Sequence, residues 1–124
     1  MRKLDKDSII KQYEESGKLM YEATLSGDYR TNNREGAKLI RIFKQFERDR
    51  ELALSCIDEM YKSENVVVRT TAAAYCLALN ENIDMGEKVL EEISNDKQNG
   101  IFGFNAAMTL QVWREEGELI LYRK

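Results

Sequence analysis

The segment VVVRTTAAAYCLALN, residues 66–80, constrains the fold more than any other part of the chain. It is almost wholly apolar or small for about three helical turns. Residues 66–68 alone would suit a strand, but the length of the run and its alanines favour a buried helix over residues 64–80. Because alanine side chains are small, neighbouring helices can approach this one closely. We therefore expect it at the centre of the molecule.

The rest of the chain also has the apolar spacing of helices. The spacing predicts helices over residues 5–25, 30–47, 50–62, 85–95 and 102–116, with short polar turns between them. Proline is absent and there are seven glycines, which argues against a β fold with many tight turns. Residues 118–124 are expected to form an extended tail.

Six helices joined by short connections pair in order as three antiparallel hairpins. This predicts an all-α fold, either a short α-solenoid of about three hairpins of the HEAT or armadillo type, or a compact six-helix bundle. The length of 124 residues is near the commonest size of one domain. We expect a single helical domain over residues 1–124, with 118–124 as its C-terminal tail.

Composition argues against several kinds of chemistry. The chain has no histidine, which removes Ser-His-Asp and Cys-His nucleophile systems and most transition-metal sites. Cys56 and Cys76 lie in apolar helical patterns and are expected to be buried free thiols, and no C-x-x-C spacing occurs. We expect no catalytic residues, no metal and no cofactor.

The location expected from the sequence is cytoplasmic, without a membrane partner. No apolar run approaches the roughly 20 residues that cross a bilayer. The N-terminal segment MRKLDKDSIIKQYEE is charged and lacks the apolar core of a signal peptide.

Charge is unevenly distributed along the chain. Residues 1–50 carry twelve Lys and Arg against nine Asp and Glu, whereas residues 51–124 carry seven against thirteen. A basic stripe on the second helix could contact phosphates, but acidic neighbours and a pI near 5.2 favour a solvated or salt-bridged face. Nucleic acid is therefore not an expected partner. The stripe consists of Arg34, Lys38, Arg41 and Arg48.

The C-terminal half offers a candidate acidic surface, which could dock a basic protein or simply be solvated. Its residues come from the end of the third helix and from the polar side of the fifth. They are Asp58, Glu59, Glu64, Asp84, Glu87, Glu91 and Glu92. Asp84 is also a candidate N-cap of the fifth helix, which is expected to bury Met85.

The segment GIFGFNAAMTLQVWREEGEL, residues 100–119, is interpreted as the last packed layer of the fold. Phe102, Phe104, Leu110 and Trp113 are expected to fill the end of the core, and Gly103 to allow a close helix approach. Asn105 is a candidate cap if the helix begins late. The segment lacks the preceding strand and following lysine of a nucleotide-binding loop.

The pattern V-R-x-x-A-A followed by Cys and Leu, which begins at Val68, resembles the second helix of a HEAT-like repeat. The order VRTTAAAYCLALN, EKVLEEIS and GIFGFNAAMTLQVWREEGEL, over residues 66–119, resembles a family of small bacterial proteins known as a domain of unknown function. Such helical proteins are often immunity proteins of toxin systems.

The resemblance implies neutralisation of a cognate bacterial toxin by stoichiometric binding through the acidic surface. The toxin would be basic, for example a nuclease delivered by contact-dependent growth inhibition or by secretion. A HEAT-like protein–protein adaptor is the alternative, and a small enzyme or nucleic-acid binder comes third. A monomer is the favoured oligomeric state.

Overall fold

The computed structural model describes residues 3–123, and the predicted all-α fold is confirmed, since this part of the chain contains six α-helices and no strand. Every predicted helix is present, with ends that differ by a few residues. Met1, Arg2 and Lys124 belong to the predicted domain but lie outside the described residues. The helices are α1 Lys6–Ser26, α2 Tyr29–Arg48, α3 Arg50–Met60, α4 Val66–Leu79, α5 Ile83–Asn95 and α6 Ile101–Glu116, with a short 3-10 helix Lys97–Asn99 before α6.

Short polar side chains explain where several helices begin. Asp5, Asp28 and Asp49 each accept a hydrogen bond from the backbone N–H three residues ahead, at 2.9–3.1 Å. Asn65 caps α4 through the N–H of Val67 at 2.7 Å. These contacts satisfy N–H groups that the first turn of a helix leaves free.

The start of α5 differs from the expectation. Asn82 occupies the N-cap position in a left-handed conformation, with φ of 49°, and no side chain caps the helix. Asp84 lies inside the first turn, where its carboxylate faces the positive end of the helix dipole. The prediction that Met85 is buried is wrong, because its side chain is 45% exposed.

Helix α4 lies between the other helices, as its composition predicts. It contacts α1, α3, α5 and α6. Val68, Ala72 and Cys76 belong to a buried cluster shared with α1, α2 and α3. Ala73 and Leu77 belong to a second cluster shared with α5 and α6. The first cluster is the larger of the two, and the second is the smaller. Consecutive helices pack on each other along the chain, an arrangement that suits both a hairpin solenoid and a compact bundle.

Aromatic side chains lock the larger cluster together. Tyr13 of α1 and Tyr75 of α4 meet edge-on at 5.9 Å, and the Tyr13 hydroxyl donates to the Tyr75 hydroxyl at 2.8 Å. Phe43 and Phe46 of α2 pack on the same ring of Tyr75. Burial raises the pKa of both tyrosines well above the ordinary value, so their hydroxyls stay neutral and serve the core.

The tail crosses back to α2. Residues 118–123 follow Gly117 without forming a helix, and Leu121 and Tyr122 pack against the larger cluster. The Tyr122 ring meets Phe43 edge-on at 6.1 Å, and its hydroxyl donates to Glu47. The chain beyond α6 is therefore held against the body of the fold.

Glycine allows α5 to approach α4. A Cβ atom placed on Gly86 would lie 2.9 Å from the carbonyl oxygen of Ala73 and 3.2 Å from Cβ of Cys76. The predicted close approach at Gly103 is also present, since a Cβ there would lie 3.1 Å from the carbonyl oxygen of Ile93. Helix α5 at Gly86 and helix α6 at Gly103 thus each need a glycine to pack closely on a neighbouring helix.

We expect Gly86→Ala to lower the free energy of unfolding by about 1–3 kcal/mol, because α4 backbone would have to move away. The matched control is Gly36→Ala in α2, where an added Cβ meets nothing within 4 Å. That variant should gain up to about 1 kcal/mol from helix propensity. Urea unfolding followed by circular dichroism measures both. Equal effects at the two positions would contradict the close packing of α5 on α4.

Candidate protein-binding surfaces

The seven acidic residues singled out in the sequence lie on two parts of the structure. Asp58 and Glu59 are at the end of α3, and Glu64 is in the loop before α4. The other four are on α5. All are exposed except Glu87, which is half-buried. Their positions leave the acidic surface available to solvent along both parts.

Two of the acids on α5 contact α6. Glu87 accepts a hydrogen bond at 3.1 Å from the indole N–H of Trp113, and its carboxylate lies 4.0 Å from Nε of Arg114. Glu91 forms an ion pair with the same arginine. These two carboxylates therefore help to hold α5 against α6 and are partly neutralised.

The other acids carry more of the free negative charge. Asp58, Glu64, Asp84 and Glu92 form no ion pair with any residue of the described chain. Glu59 pairs with Lys62 at 3.5 Å, within the same short segment. The strongest free negative charge of α5 is thus at Asp84 and Glu92.

Glu92 borders an open groove between α5 and the α3–α4 corner. Its walls also include Tyr61, Val89, Lys88 and Arg69. The Arg69 guanidinium donates to the carbonyl oxygen of Ser63 at 2.8 Å. The lining of the groove therefore mixes apolar side chains with charges of both signs.

Folding turns the charge asymmetry of the sequence into a spatial one. Helix α2 carries six Lys and Arg against two Glu, and α5 carries four Asp and Glu against one Lys. Helix α2 packs on α1 and α3, whereas α5 packs on α4 and α6. The cationic and anionic helices consequently belong to different hairpins.

Part of the basic stripe holds a buried carboxylate. Glu35 of α2 is 1% exposed, and it accepts hydrogen bonds from Lys38 at 3.0 Å, Arg34 at 3.2 Å and the Ser16 hydroxyl of α1 at 2.8 Å. The expected salt-bridge role is confirmed for Arg34 and Lys38. The buried Glu35 was not predicted, because its sequence neighbours are those of an exposed position.

Opposing effects act on the pKa of Glu35. Burial raises it, but the hydrogen bonds from Lys38, Ser16 and Arg34 outweigh burial and hold the pKa below its ordinary value. The carboxylate is therefore charged at neutral pH. Since Ser16 is itself buried, this contact links the polar interior of α1 to α2.

Helix α6 has two faces, and only one was predicted correctly. Phe102 and Leu110 are buried, and Phe102 stacks on Tyr21 of α1 at 4.5 Å. Phe104 was expected in the core, but 64% of it is exposed. Trp113 is half-buried at the edge of the smaller cluster. Asn105 does not cap the helix, which begins four residues earlier at Ile101.

The opposite face of α6 exposes a row of apolar side chains, which we call the α6 stripe. Its members follow one another at helical spacing, so they lie along one side of the helix. The α6 stripe consists of Ile101, Phe104, Met108 and Val112, each between 42% and 64% exposed. The sequence signal was that apolar residues surround α6 on more than one side, which a helix packed on one face does not require.

A smaller groove lies where side chains of α1, α2, α4 and α6 meet. It has a volume of about 260 Å³, with Met20 and Phe102 among its apolar walls and Thr24 among its polar ones. The amide of Asn32 donates to Thr24 at 3.2 Å, while its side-chain oxygen is buried without a hydrogen-bond partner in the described chain. The groove lacks any charged side chain in its lining.

The described residues hold little reactive chemistry. Within residues 3–123 no group of three or more His, Cys, Asp or Glu could bind a metal ion. Cys56 and Cys76 are buried free thiols, as expected, and burial raises the pKa of Cys56 to about 11. A thiol with such a pKa is a poor nucleophile at neutral pH. None of the helices in this part has the length and apolar character needed to cross a membrane.

The fold is all-α, and it exposes an acidic surface and an apolar row of side chains. Comparison with protein-family models, with curated proteins and with solved structures finds no match to this chain. The resemblance to a bacterial domain-of-unknown-function family therefore stays a prediction, and no residue role is transferred from it.

Replacing Glu35 should change how stability depends on pH. A carboxylate with a lowered pKa stabilises the fold above its unfolded pKa of about 4.3 and loses that contribution as pH falls through the folded value. We expect Glu35→Gln to lower stability by about 1–2 kcal/mol at pH 7 and to flatten the loss between about pH 5 and pH 3. Urea unfolding across this range, with exposed Glu22→Gln as control, measures the difference. Parallel pH profiles for Glu35→Gln and wild type would refute the charged network.

Trp113 and Phe104 should respond differently to truncation. Trp113→Ala should cost about 2–3 kcal/mol through lost ring contacts and the lost bond to Glu87. This is below the roughly 3–5 kcal/mol of a fully buried aromatic, because Trp113 is only half-buried. Phe104→Ala should stay within about 0.5 kcal/mol of wild type. Thermal unfolding at low protein concentration compares them. A larger loss for Phe104→Ala would place the packed face of α6 elsewhere.

Proposed function

We propose that the protein is a non-catalytic, cytoplasmic immunity protein that neutralises a basic bacterial toxin by stoichiometric binding. The observation that carries the proposal is the separation of charge between α2 and α5, which lie in different hairpins. A basic partner approaching such a molecule is attracted to the α5 side and repelled from the α2 side. Charge of this kind speeds association and orients the encounter.

Within the acidic surface, the residues have two different roles in the proposal. Asp84 and Glu92 present unpaired charge directly to a partner, together with Asp58 and Glu64 at the α3–α4 corner. Glu87 and Glu91 act mainly through Arg114 and Trp113, keeping α5 and α6 together. A toxin side chain that displaced Arg114 would have to break that contact first.

Binding rather than catalysis is also what the remaining groups favour. The cysteines and the core tyrosines are buried with raised pKa values, which keeps them protonated. A toxin can be blocked by covering its active face, which requires no reactive group on the inhibitor. The exposed carboxylates supply the complementary charge for a toxin that binds nucleic acid.

A HEAT-like adaptor of cellular proteins is the second candidate. The exposed α6 stripe favours it, because adaptors commonly bind partners through apolar helix faces. The two functions differ in which surface matters. Toxin neutralisation depends on the acidic residues of α5, and adaptor binding depends on α6.

The test is growth rescue in cells that express a toxin gene encoded beside this one. The paired reversal Asp84→Lys with Glu92→Lys should leave the fold intact, since both side chains are exposed and form no ion pair within residues 3–123. A lysine in the first turn of α5 should cost at most about 1 kcal/mol of stability. We expect association with the toxin to slow by about 10-fold or more, and rescue to fail at equal protein level. Added salt should weaken the wild-type complex in the same direction.

The matched control is Glu15→Lys with Glu22→Lys, which makes the same change in net charge on exposed positions of α1. It should rescue growth nearly as well as wild type. Equal loss in both pairs would show that only net charge matters, and full rescue by the α5 pair would exclude this acidic surface. Failure of the wild-type protein to protect against any neighbouring toxin would reject the immunity function.

A further inference from the structure

The tail, residues 118–123, lies across the body of the fold as an extended peptide lies on a protein surface. Leu119 packs against the smaller cluster and Leu121 against the larger one, whereas Ile120 between them is 67% exposed. This alternation is typical of an extended segment with one side against a surface. Residues 118–121 form no backbone–backbone hydrogen bond within the described chain. Side chains, and not backbone pairing, therefore hold the tail in place.

Tyr122 supplies the most specific contact of the tail. Its hydroxyl donates to Glu47, and its ring meets Phe43 edge-on at 6.1 Å. Lys44 Nζ lies 4.8 Å from the centroid of the same ring, within the range of a cation–π contact. All three partners belong to a short stretch of α2. The docking of one ring therefore fixes the end of the tail on α2.

The tail packs less tightly on the body than the helices pack on one another. A cavity of about 130 Å³ lies beneath it, with Phe43 and Ala78 of the body among its walls. Protein interiors have few voids larger than a water molecule, so a surface that borders one loses part of its packing contacts. None of residues 118–123 belongs to the buried core. The helices therefore keep their own core when the tail leaves.

Gly117 allows the tail to move independently of α6. It ends the helix in a left-handed conformation, with φ of 73°, and an added Cβ would meet nothing within 4 Å. Glycine has the widest range of backbone conformations, and no neighbouring group limits it here. The joint between α6 and the tail can consequently act as a hinge.

We infer that the tail is a displaceable strap, which covers a groove between α2 and α4 that accepts an extended peptide with adjacent aliphatic and aromatic side chains. The Leu121–Tyr122 pair is the occupant of this groove within the chain itself. Opening of the tail exposes Phe43 and Ala78 and frees the groove for a peptide of the same chemistry. None of the seven acidic residues lines the cavity beneath the tail. The strap therefore does not rest on the proposed function.

Competition between the tail and an added peptide follows from the connection of the tail to α6. A segment with few buried contacts opens at a lower free energy than the whole fold. The attached tail has an effective concentration of about millimolar, which an external peptide must exceed or outcompete. If the open form is at most about 10% of the molecules, the apparent affinity of the wild type for a peptide falls about 10-fold or more.

The test adds the tail sequence as a separate peptide, GELILYRK, to the full-length protein. The variant Leu121→Ser with Tyr122→Ser removes the two adjacent anchors and should release its own tail. We expect the peptide to bind this variant at least about 10-fold more tightly than it binds the wild type. Nuclear magnetic resonance of the Ala78 methyl group reports the groove. The Met108 methyl group, on the α6 stripe, reports binding elsewhere and should not change.

Two matched controls separate the groove from general stickiness. The peptide GELISSRK, which carries the same two serines, should not bind the released variant. Ile120→Ser removes an apolar tail residue that is exposed and should bind GELILYRK as weakly as the wild type. Tyr122→Phe loses only the hydroxyl contact with Glu47 and should bind the peptide about three- to five-fold more tightly than the wild type.

Four results would overturn the inference. The first is a released variant that no longer unfolds cooperatively in urea, because the tail would then be part of the core. The second is a folded released variant that binds neither peptide. The third is equal binding of GELILYRK and GELISSRK. The fourth is a wild type that binds GELILYRK as tightly as the released variant, which would place the binding outside the groove.

Discussion

The contact that the rest of the fold depends on is the close packing of neighbours against both sides of α4. Its alanines keep the helix narrow, and Gly86 supplies the matching absence of a side chain on α5, where an added Cβ would lie 2.9 Å from the Ala73 carbonyl. On the other side, Tyr75 reaches Tyr13 and the phenylalanines of α2. One helix therefore joins two clusters that would otherwise be separate small cores, each with little apolar area to bury.

Charged residues have two different uses in this molecule. Some are structural, because Glu35 is buried between Lys38, Arg34 and Ser16, and Arg114 joins α5 to α6 through Glu87 and Glu91. Others stay free in solvent, among them Asp84 and Glu92. Only the free carboxylates can form a direct ion pair with another protein at no loss, because a paired carboxylate must give up one contact to gain another. What the acidic surface can offer to another protein therefore depends on which carboxylates are already paired within the molecule, and not on the number of acidic residues.

Helix α6 shows how one segment can complete the core on one face and expose apolar side chains on the other. Phe102 and Leu110 complete the smaller cluster, while Phe104 and Met108 face away from it. A helix at the edge of a fold has one side with no intramolecular neighbour, so apolar residues there gain nothing from folding alone. Those side chains stay exposed, and the core forms without them.

The sequence by itself determined the helices, their order and the central position of α4. These follow from local spacing, from caps such as Asn65, and from the composition of residues 66–80, all of which act within a few residues. It also located the free acidic residues, although it did not separate Glu92 from the paired Glu91. Helical periodicity shows which apolar side chains share one face of a helix, but it does not show whether another helix lies against that face.

Only the tertiary structure decided which faces are covered. The packing direction of α6 exposes Phe104 and leaves Trp113 half-buried, and the approach of α1 to α2 buries Glu35 beside Ser16. Each outcome depends on a partner that lies far away in the chain or on the opposite helix of a hairpin. Burial requires two surfaces in contact, so the sequence of one helix does not show which of its residues are buried until the neighbouring helices are known.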